Sequence, residues 1–206
     1  MNRASLKAVP ANRFERRRAR TRDEILRAAT RILASKGLHE TKIADIAAAA
    51  DVGVGTFYLH FDTKEALFDA VVEDTVARLK AVIDAARVSS PDPVERVHRS
   101  NSAFCRFAAD NREVFKAVFG HAAAFNDVIR RAQALFAADI EDTIRDGITR
   151  GVFVAVAPAV AAQAVVGMAT QMLSWWTEQD SVPIERVEET IIRLTLRGLV
   201  ATPAGQ

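Results

Sequence analysis

The chain has 206 residues, half of them apolar, with 9 Gly and 6 Pro and no run of alternating Val, Ile and Thr, which favours an all-α protein with one or two buried cores and excludes a low-complexity chain. One cysteine, Cys105, cannot form an internal disulfide, and Arg and Asn stand where a secretion signal needs an apolar stretch, so a cytoplasmic protein is expected. Net charge is only +2, but residues 1–64 hold 13 Lys or Arg against 7 Asp or Glu, so a polyanion would be met by the N-terminal part alone.

Residues 1–20 show no hydrophobic period and carry seven basic residues, including Arg17, Arg18 and Arg20. They read as a basic arm that is either a solvated tail or lies along phosphates or in a minor groove. Thr21 and Glu24 have the spacing of a capping box, and Ile25, Ala29, Ile32 and Leu33 keep one face apolar, which predicts a first helix from Thr21 to about Lys36. Gly37 suits its C-terminal turn, with Leu38 folding back on Ile32 or Leu33. Ile43, Ile46, Ala47 and Ala50 make the apolar face of a second, short helix, with Thr41 as its N-cap. Asp51 ends it, Val52 re-enters the core, and a third helix is expected over 53–60. Helix, tight turn and helix form a helix-turn-helix.

The third helix has an unusual composition. Gly53 and Gly55 each cost it about 1 kcal/mol relative to Ala, so they serve close approach of the backbone rather than helicity. Phe57 and Phe61 can face the core, which leaves Val54, Thr56, Tyr58, His60 and Lys64 outward. Val54 and Thr56 suit base edges, while Tyr58, His60, Lys64, Thr41 and Lys42 suit phosphates.

Over Thr41 to Leu67 the pattern T, IA, turn, V, G, TFY, HF, KEAL resembles the helix-turn-helix of the TetR (tetracycline-repressor-like) transcriptional regulators. Asp51 is a departure, since the family usually carries Gly there. The resemblance implies an operator-binding homodimer, in most members a repressor, with a helical-bundle ligand-binding and dimerisation domain. The expected division is a basic arm over 1–20, a DNA-binding domain over 21–64, and a ligand-binding and dimerisation domain over 65–206.

Asp62 and Glu65 again have a capping spacing, and a long helix is expected to about Arg87, some 36 Å of rigid rod. Ser89 to Pro93 breaks the chain, and the fifth helix then places Asn101 amid the apolar Val94, Val97, Phe104, Cys105 and Ala108. That amide is either a satisfied core group or a hydrogen-bonding group inside a cavity. Residues 111–119 read as a short helix and about 123–150 as a long one. Phe104, Phe107, Phe115, Phe119 and Phe125 crowd this region and suit a ring-lined cavity or a plain core equally.

Residues 152–177 contain no charge, yet Pro158, Gln163, Gln171 and many alanines make a membrane span a poor reading. The helix from about Ala159 to Gln179 is apolar on two faces: Ala161, Ala164, Val165, Met168, Met172 and Trp175 on one, Val166, Ala169, Leu173 and Trp176 on the other. Such a helix needs burial all round, which a second subunit supplies. The last helix, with Pro183 at its start, adds Val187, Ile191, Ile192, Leu194 and Leu199. The expected dimer interface comprises Val166, Ala169, Leu173, Trp176, Ile191 and Leu194. A small apolar or amphipathic effector is expected among Phe104, Phe115, Phe119, Met168, Gln171 and Trp175, with Asn101 or His121 as its polar contact.

Glu95 and His98 have the Glu-x-x-His spacing of di-iron helical bundles, but no second pair exists. No phosphate-cradling glycine loop, serine elbow or cysteine-nucleophile signature is present, so no enzyme, metal or cofactor is expected. The expected function is a ligand-responsive DNA-binding regulator, released by its effector from a pseudo-palindromic operator. The alternative is an architectural DNA-binding protein with no sensor, which predicts a helical domain without a cavity of a few hundred Å³. Effector identity and operator sequence are not written in these residues.

Overall fold

The computed structural model describes residues 13–120 and 122–201, and within them the chain is all-α: α1 Arg13–Glu40, α2 Ile43–Ala49, α3 Val54–Tyr58, α4 Lys64–Val88, α5 Pro93–Asp110, α6 Arg112–Gly120, α7 Ala122–Thr149, α8 Pro158–Thr177 and α9 Ile184–Leu199. No helix among the described residues is long and apolar enough to cross a membrane.

Helix α1 differs most from the sequence expectation. It begins at Arg13 rather than Thr21 and runs through Gly37 to Glu40, so Arg17, Arg18 and Arg20 sit on a helix and not on an extended arm. Arg, Ala and Glu are good helix formers, and residues 13–20 extend the helix into solvent without needing an apolar face. Residues 1–12 and the predicted packing of Leu38 lie outside the described residues and side chains. Helix α2 is capped by Lys42, not Thr41, with no side-chain capping bond. Helix α4 is capped by Thr63, whose hydroxyl accepts from the Ala66 N–H at 3.0 Å, one position after the expected Asp62. Asp92 caps α5, accepting from the Val94 N–H at 3.0 Å.

Helices α1 to α4 close on one apolar core of Ile25, Leu26, Ala29, Leu33, Ile46, Phe57, Phe61, Leu67, Phe68 and Val71. That core does not stop at the first four helices. Val72 on α4, Ala117 on α6 and Val128 on α7 belong to it, with Val76, Val118 and Ile129 packed against them. A second cluster joins α4, α5, α6, α8 and α9 through Leu79, Ile83, Phe115, Leu173, Trp176, Val187 and Ile191. The third, with Val97, Ile144, Phe153, Ala162, Val166 and Leu199, closes the far end. There the link between α7 and α8 is stitched to the end of α9, Val154 N–H donating to Leu199 O at 2.8 Å and Ala201 N–H to Val152 O at 3.0 Å. Phe153 fits because residue 147 is glycine: a Cβ there would lie 2.1 Å from the Phe153 ring.

Candidate nucleic-acid interface and interior cavities

The turn between α2 and α3 is built by the chain's one departure from the usual pattern. Asp51 adopts φ of 55°, the left-handed conformation, which Asp tolerates better than most residues. Its N–H donates to Ala48 O at 3.2 Å and that of Val52 to Ala47 O at 3.0 Å, the paired bonds of a Schellman motif. Arg31 adds a third donor at this end, reaching Ala49 O at 3.3 Å. The carbonyl end of α2 is thus satisfied, and Gly53 is delivered as the N-cap of α3.

Helix α3 is one short turn pinned by Phe57, which is fully buried and stacks edge-on to Tyr58 at 5.4 Å between ring centroids. Its outer surface carries Gly53, Val54, Gly55 and Tyr58, all exposed, with Thr56 and His60 half-buried beside them. Lys42 is exposed, and Lys64 is half-buried with its ammonium 5.4 Å from the Phe68 ring. Thr41 is the exception among the expected phosphate contacts: it is 1% exposed, because its short side chain turns into the core while Lys42 takes the outward cap position. That expectation is corrected.

An open groove between the first turns of α1 and the start of α3 brings Arg13, Arg16, Arg17, Arg18 and Arg20 alongside Gly53, Thr56 and His60. Arg13 and Arg16, two of the seven basic residues read as an arm, belong to this wall as well, at i, i+3 and i+4 spacing with Arg17 and Arg20. Arg20 also pairs with Glu24 at 3.0 Å. Burial, then Arg18 and Arg22, hold the His60 pKa below its ordinary 6.5, so at neutral pH it faces the groove as an uncharged imidazole.

Gly55 is not required by the fold of α3. A Cβ at this position would meet nothing within 4 Å in the protein, so folding does not demand glycine. Gly55→Ala should keep or raise thermal stability, by up to about 1 kcal/mol, while weakening operator binding, checked by a melt and a fluorescence-anisotropy titration. Unchanged DNA affinity would show that this backbone does not approach a duplex.

The interior of the C-terminal helices holds two cavities, of about 70 and 80 Å³, where the sequence led us to expect one chamber of a few hundred. Both are bounded by Phe104, Phe136 and Thr170, which form the partition between them. The first adds Arg87 from α4, Arg96 and Asn101 from α5, Asp139 from α7, Val166 and Ala169 from α8, and Thr195 from α9. The second is lined by Val72, Val76 and Leu79 of α4, Val114, Phe115 and Phe119 of α6, and Ile129 of α7.

Of the expected effector contacts, Asn101, Phe104, Phe115 and Phe119 line these cavities. Asn101 does so while donating to Val97 O at 2.8 Å, so it is at once a satisfied core group and a wall of the cavity. His121 lies outside the described residues. Met168, Gln171 and Trp175 line neither cavity, and Gln171 and Trp175 are exposed. Nor do the two faces of α8 separate as expected, since Val165 of the first face lines the first cavity and Met168 and Met172 pack against the second core. Val166 and Ala169 line the first cavity, and Leu173, Trp176 and Ile191 are buried within the protomer. Trp176 is held there by its indole N–H on Val182 O at 2.9 Å and by Arg112, which stacks on its ring at 4.7 Å and donates to Gln179 O at 2.6 Å. Of the residues assigned to the interface, Leu194 alone is exposed, at 54%.

Glu95 and His98 lie on the outer face of α5, with Glu95 paired to Arg99 at 2.8 Å. Burial pushes the Cys105 thiol up to about 12, which leaves it without nucleophilic thiolate at neutral pH.

Comparison with known proteins agrees with this arrangement. The family model for bacterial regulatory proteins of the tetR family matches residues 25–71, and that for the tetracyclin repressor-like C-terminal domain matches residues 90–199. The HTH-type transcriptional regulator YhgD of Bacillus subtilis is 29% identical over 174 residues, covering 82% of this chain and 90% of its own. The HTH-type transcriptional repressor BepR of Brucella suis is 30% identical over 97 residues, 46% of each chain. The structure of the fatty acid degradation regulator FadR from Bacillus halodurans superposes with a TM-score of 0.72 at 20% identity, covering 92% of this chain and 96% of that one. With a helix-turn-helix at one end, cavities at the other and family models that cover more than half of its length, this chain belongs to the TetR family of transcriptional regulators.

Proposed function

We propose that this protein is a cytoplasmic homodimeric repressor that leaves a pseudo-palindromic operator when a small amphipathic effector fills its interior cavities. In this reading residues 21–64 form the DNA reader and 65–206 the sensor and dimerisation module, with α4 running through both. Val54 and Thr56 address base edges. Lys42, Tyr58, His60, Lys64 and the arginines of α1 hold phosphates, and the two copies of α3 enter successive major grooves about 34 Å apart.

The observation that carries the sensor half is a shared wall. Val72, Val76, Val118 and Ile129 line the second cavity and also pack in or against the core that holds α1, α2 and α3 in place. A molecule that widens the cavity against α4, α6 or Ile129 of α7 moves a residue of that core or of its packing, and α6 packs directly on α1. Packed interiors do not deform continuously, so the displacement is passed to the reader. An effector shifts the balance only by its unequal affinity for the two conformers, which sets a coupling of about 1–3 kcal/mol, or about 5- to 150-fold in DNA affinity.

A built-in wedge tests this without knowledge of the effector. Thr170 stands on the partition between the cavities, and Thr170→Phe fills it with a ring. The variant should remain folded and dimeric while its operator affinity falls by about 5- to 150-fold, measured by anisotropy on a duplex selected from random sequence. A folded Thr170→Phe dimer with unchanged operator affinity would count against release by cavity filling and favour a constitutive DNA-binding protein.

A further inference from the structure

The first cavity has mostly apolar walls, yet four buried polar atoms of its lining have no hydrogen-bond partner among the described residues: three donors, Arg87 Nε, Arg96 Nε and the Thr195 hydroxyl, and one acceptor, Asp139 Oδ2. Thr195 is 4% exposed, and the side chains of Arg87 and Arg96 are 24% and 17% exposed. Buried donors in native proteins are nearly always paired, and an unpaired one is destabilising. Three of them, brought to one cavity from α4, α5 and α9, define a missing acceptor.

Charge narrows its chemistry. The lining holds two guanidinium groups and one carboxylate, Asp139. Asp139 is already engaged by Lys80, whose ammonium lies 2.9 Å from its Oδ2 and 2.6 Å from Asp84. Arg87 reaches Asp84 and Asp139 only at 3.6 Å each. Arg96 uses its terminal nitrogen on Asp146, which is shared with Arg150. On the lining itself two positive charges, Arg87 and Arg96, face one negative, Asp139, while Lys80, Asp84, Asp146 and the half-exposed Arg150 lie outside it. A single anion with two acceptor oxygens balances the excess positive charge and can take all three of the free donors, whereas a neutral hydroxyl accepts at most two and leaves the charge unmatched. A dianion would meet Asp139 across the cavity with a second, unbalanced charge.

We propose that the effector is an amphipathic monocarboxylic acid whose carboxylate is held by Arg87, Arg96 and Thr195 in the first cavity. Its hydrocarbon body passes between Phe104 and Phe136 into the second, where the walls are aliphatic and aromatic. The proposal rests on the sensor reading above and adds the effector's chemical class. It also gives the two cavities different tasks: the first recognises, and the second, which shares its wall with the reader's core, transmits.

The test uses the full-length dimer and three probes of one chain length, octanoate, 1-octanol and octyl phosphate, titrated by calorimetry at pH 7. Octanoate should bind at least tenfold more tightly than either of the others. This preference should collapse in Thr195→Val, which keeps the shape and removes the hydroxyl, and in Arg87→Met, which keeps much of the stem and removes the charge, with melting curves confirming that both are folded. Octanol equal to octanoate would mean that water or a hydroxyl satisfies these donors, and would overturn the carboxylate. Tighter binding of octyl phosphate, binding of none of the three, or a preference that survives both substitutions would overturn it as well. Each of those failures leaves the sensor reading to stand or fall separately on the operator affinity of Thr170→Phe.

Discussion

Trp175→Glu and Leu194→Glu should each convert the dimer to monomer and lower operator affinity by about 10²- to 10³-fold. Trp175 is 48% exposed and Leu194 54% exposed in the protomer, on helices α8 and α9, which pack side by side. Trp175 lies on a stripe of α8 formed by Val160, Ala164, Gly167 and Gln171, all exposed and none charged. An uncharged, partly apolar stripe of that length suits a second copy of the same surface, since a two-fold axis brings like against like. In such an interface every substitution occurs twice, so one glutamate per chain places two desolvated carboxylates near the axis without partners. Loss of one half-site removes about half of the roughly 4–10 kcal/mol by which specific binding exceeds non-specific binding, hence the stated fall. Sedimentation equilibrium and anisotropy measure the two effects. Trp176→Glu is the contrasting case, because its ring and indole N–H are committed inside the protomer, and it should unfold the chain. Glutamate variants at 175 and 194 that stay dimeric would move the interface to another surface.

That contrast shows where the sequence stops being legible. Trp175 and Trp176 are adjacent, about 100° apart on the helix, and hydrophobic period finds two apolar faces on α8 without ranking them. What decides between them is remote in sequence: Arg112, on α6, stacks on Trp176 and caps the carbonyls at the end of α8. The start of α1 was missed for a related reason. Period detects helices through a buried face, and residues 13–20 bury none. The reader was legible almost residue by residue, because Asp51, Gly53, Gly55 and Phe57 act through local turn chemistry and one short helix. The polar end of the cavity was not, since Arg87, Arg96 and Thr195 lie on three different helices and each taken alone is an ordinary helical residue.

The same distinction between local and remote determinants orders the molecule's function. In the proposed reading DNA contacts come from a contiguous stretch and the basic turns before it, so their chemistry is fixed by local geometry. The proposed response to an effector depends on packing between helices far apart in the chain, and in particular on Val72, Val76, Val118 and Ile129, which belong at once to a cavity wall and to the surroundings of the reader's core. In that reading, residues of this double kind are where a small volume change inside the bundle becomes a change in the spacing of two reading helices.

Phe57→Ala tests that continuity and should destabilise the whole chain, not the reader alone. Phe57 is fully buried, packs edge-on to Tyr58 and lies 5.9 Å from the Phe61 ring between centroids. It is the only buried side chain of the five-residue α3, so its ring is what holds that helix to the body. Removing a buried Phe costs about 3–5 kcal/mol, which in a chain of this size lowers the melting temperature by about 6–20 °C. Because the core around Phe57 includes Val72, Ala117 and Val128 from α4, α6 and α7, the loss should appear as one shifted transition, seen alike by far-UV circular dichroism and by the fluorescence of Trp175 and Trp176 on α8, outside that core. Operator binding should vanish with it, since an unanchored α3 cannot hold Val54 and Thr56 against base edges. If the tryptophan signal melts at the wild-type temperature while DNA binding is lost, the reader folds independently of the bundle, and the shared wall cannot be the route by which an effector is sensed.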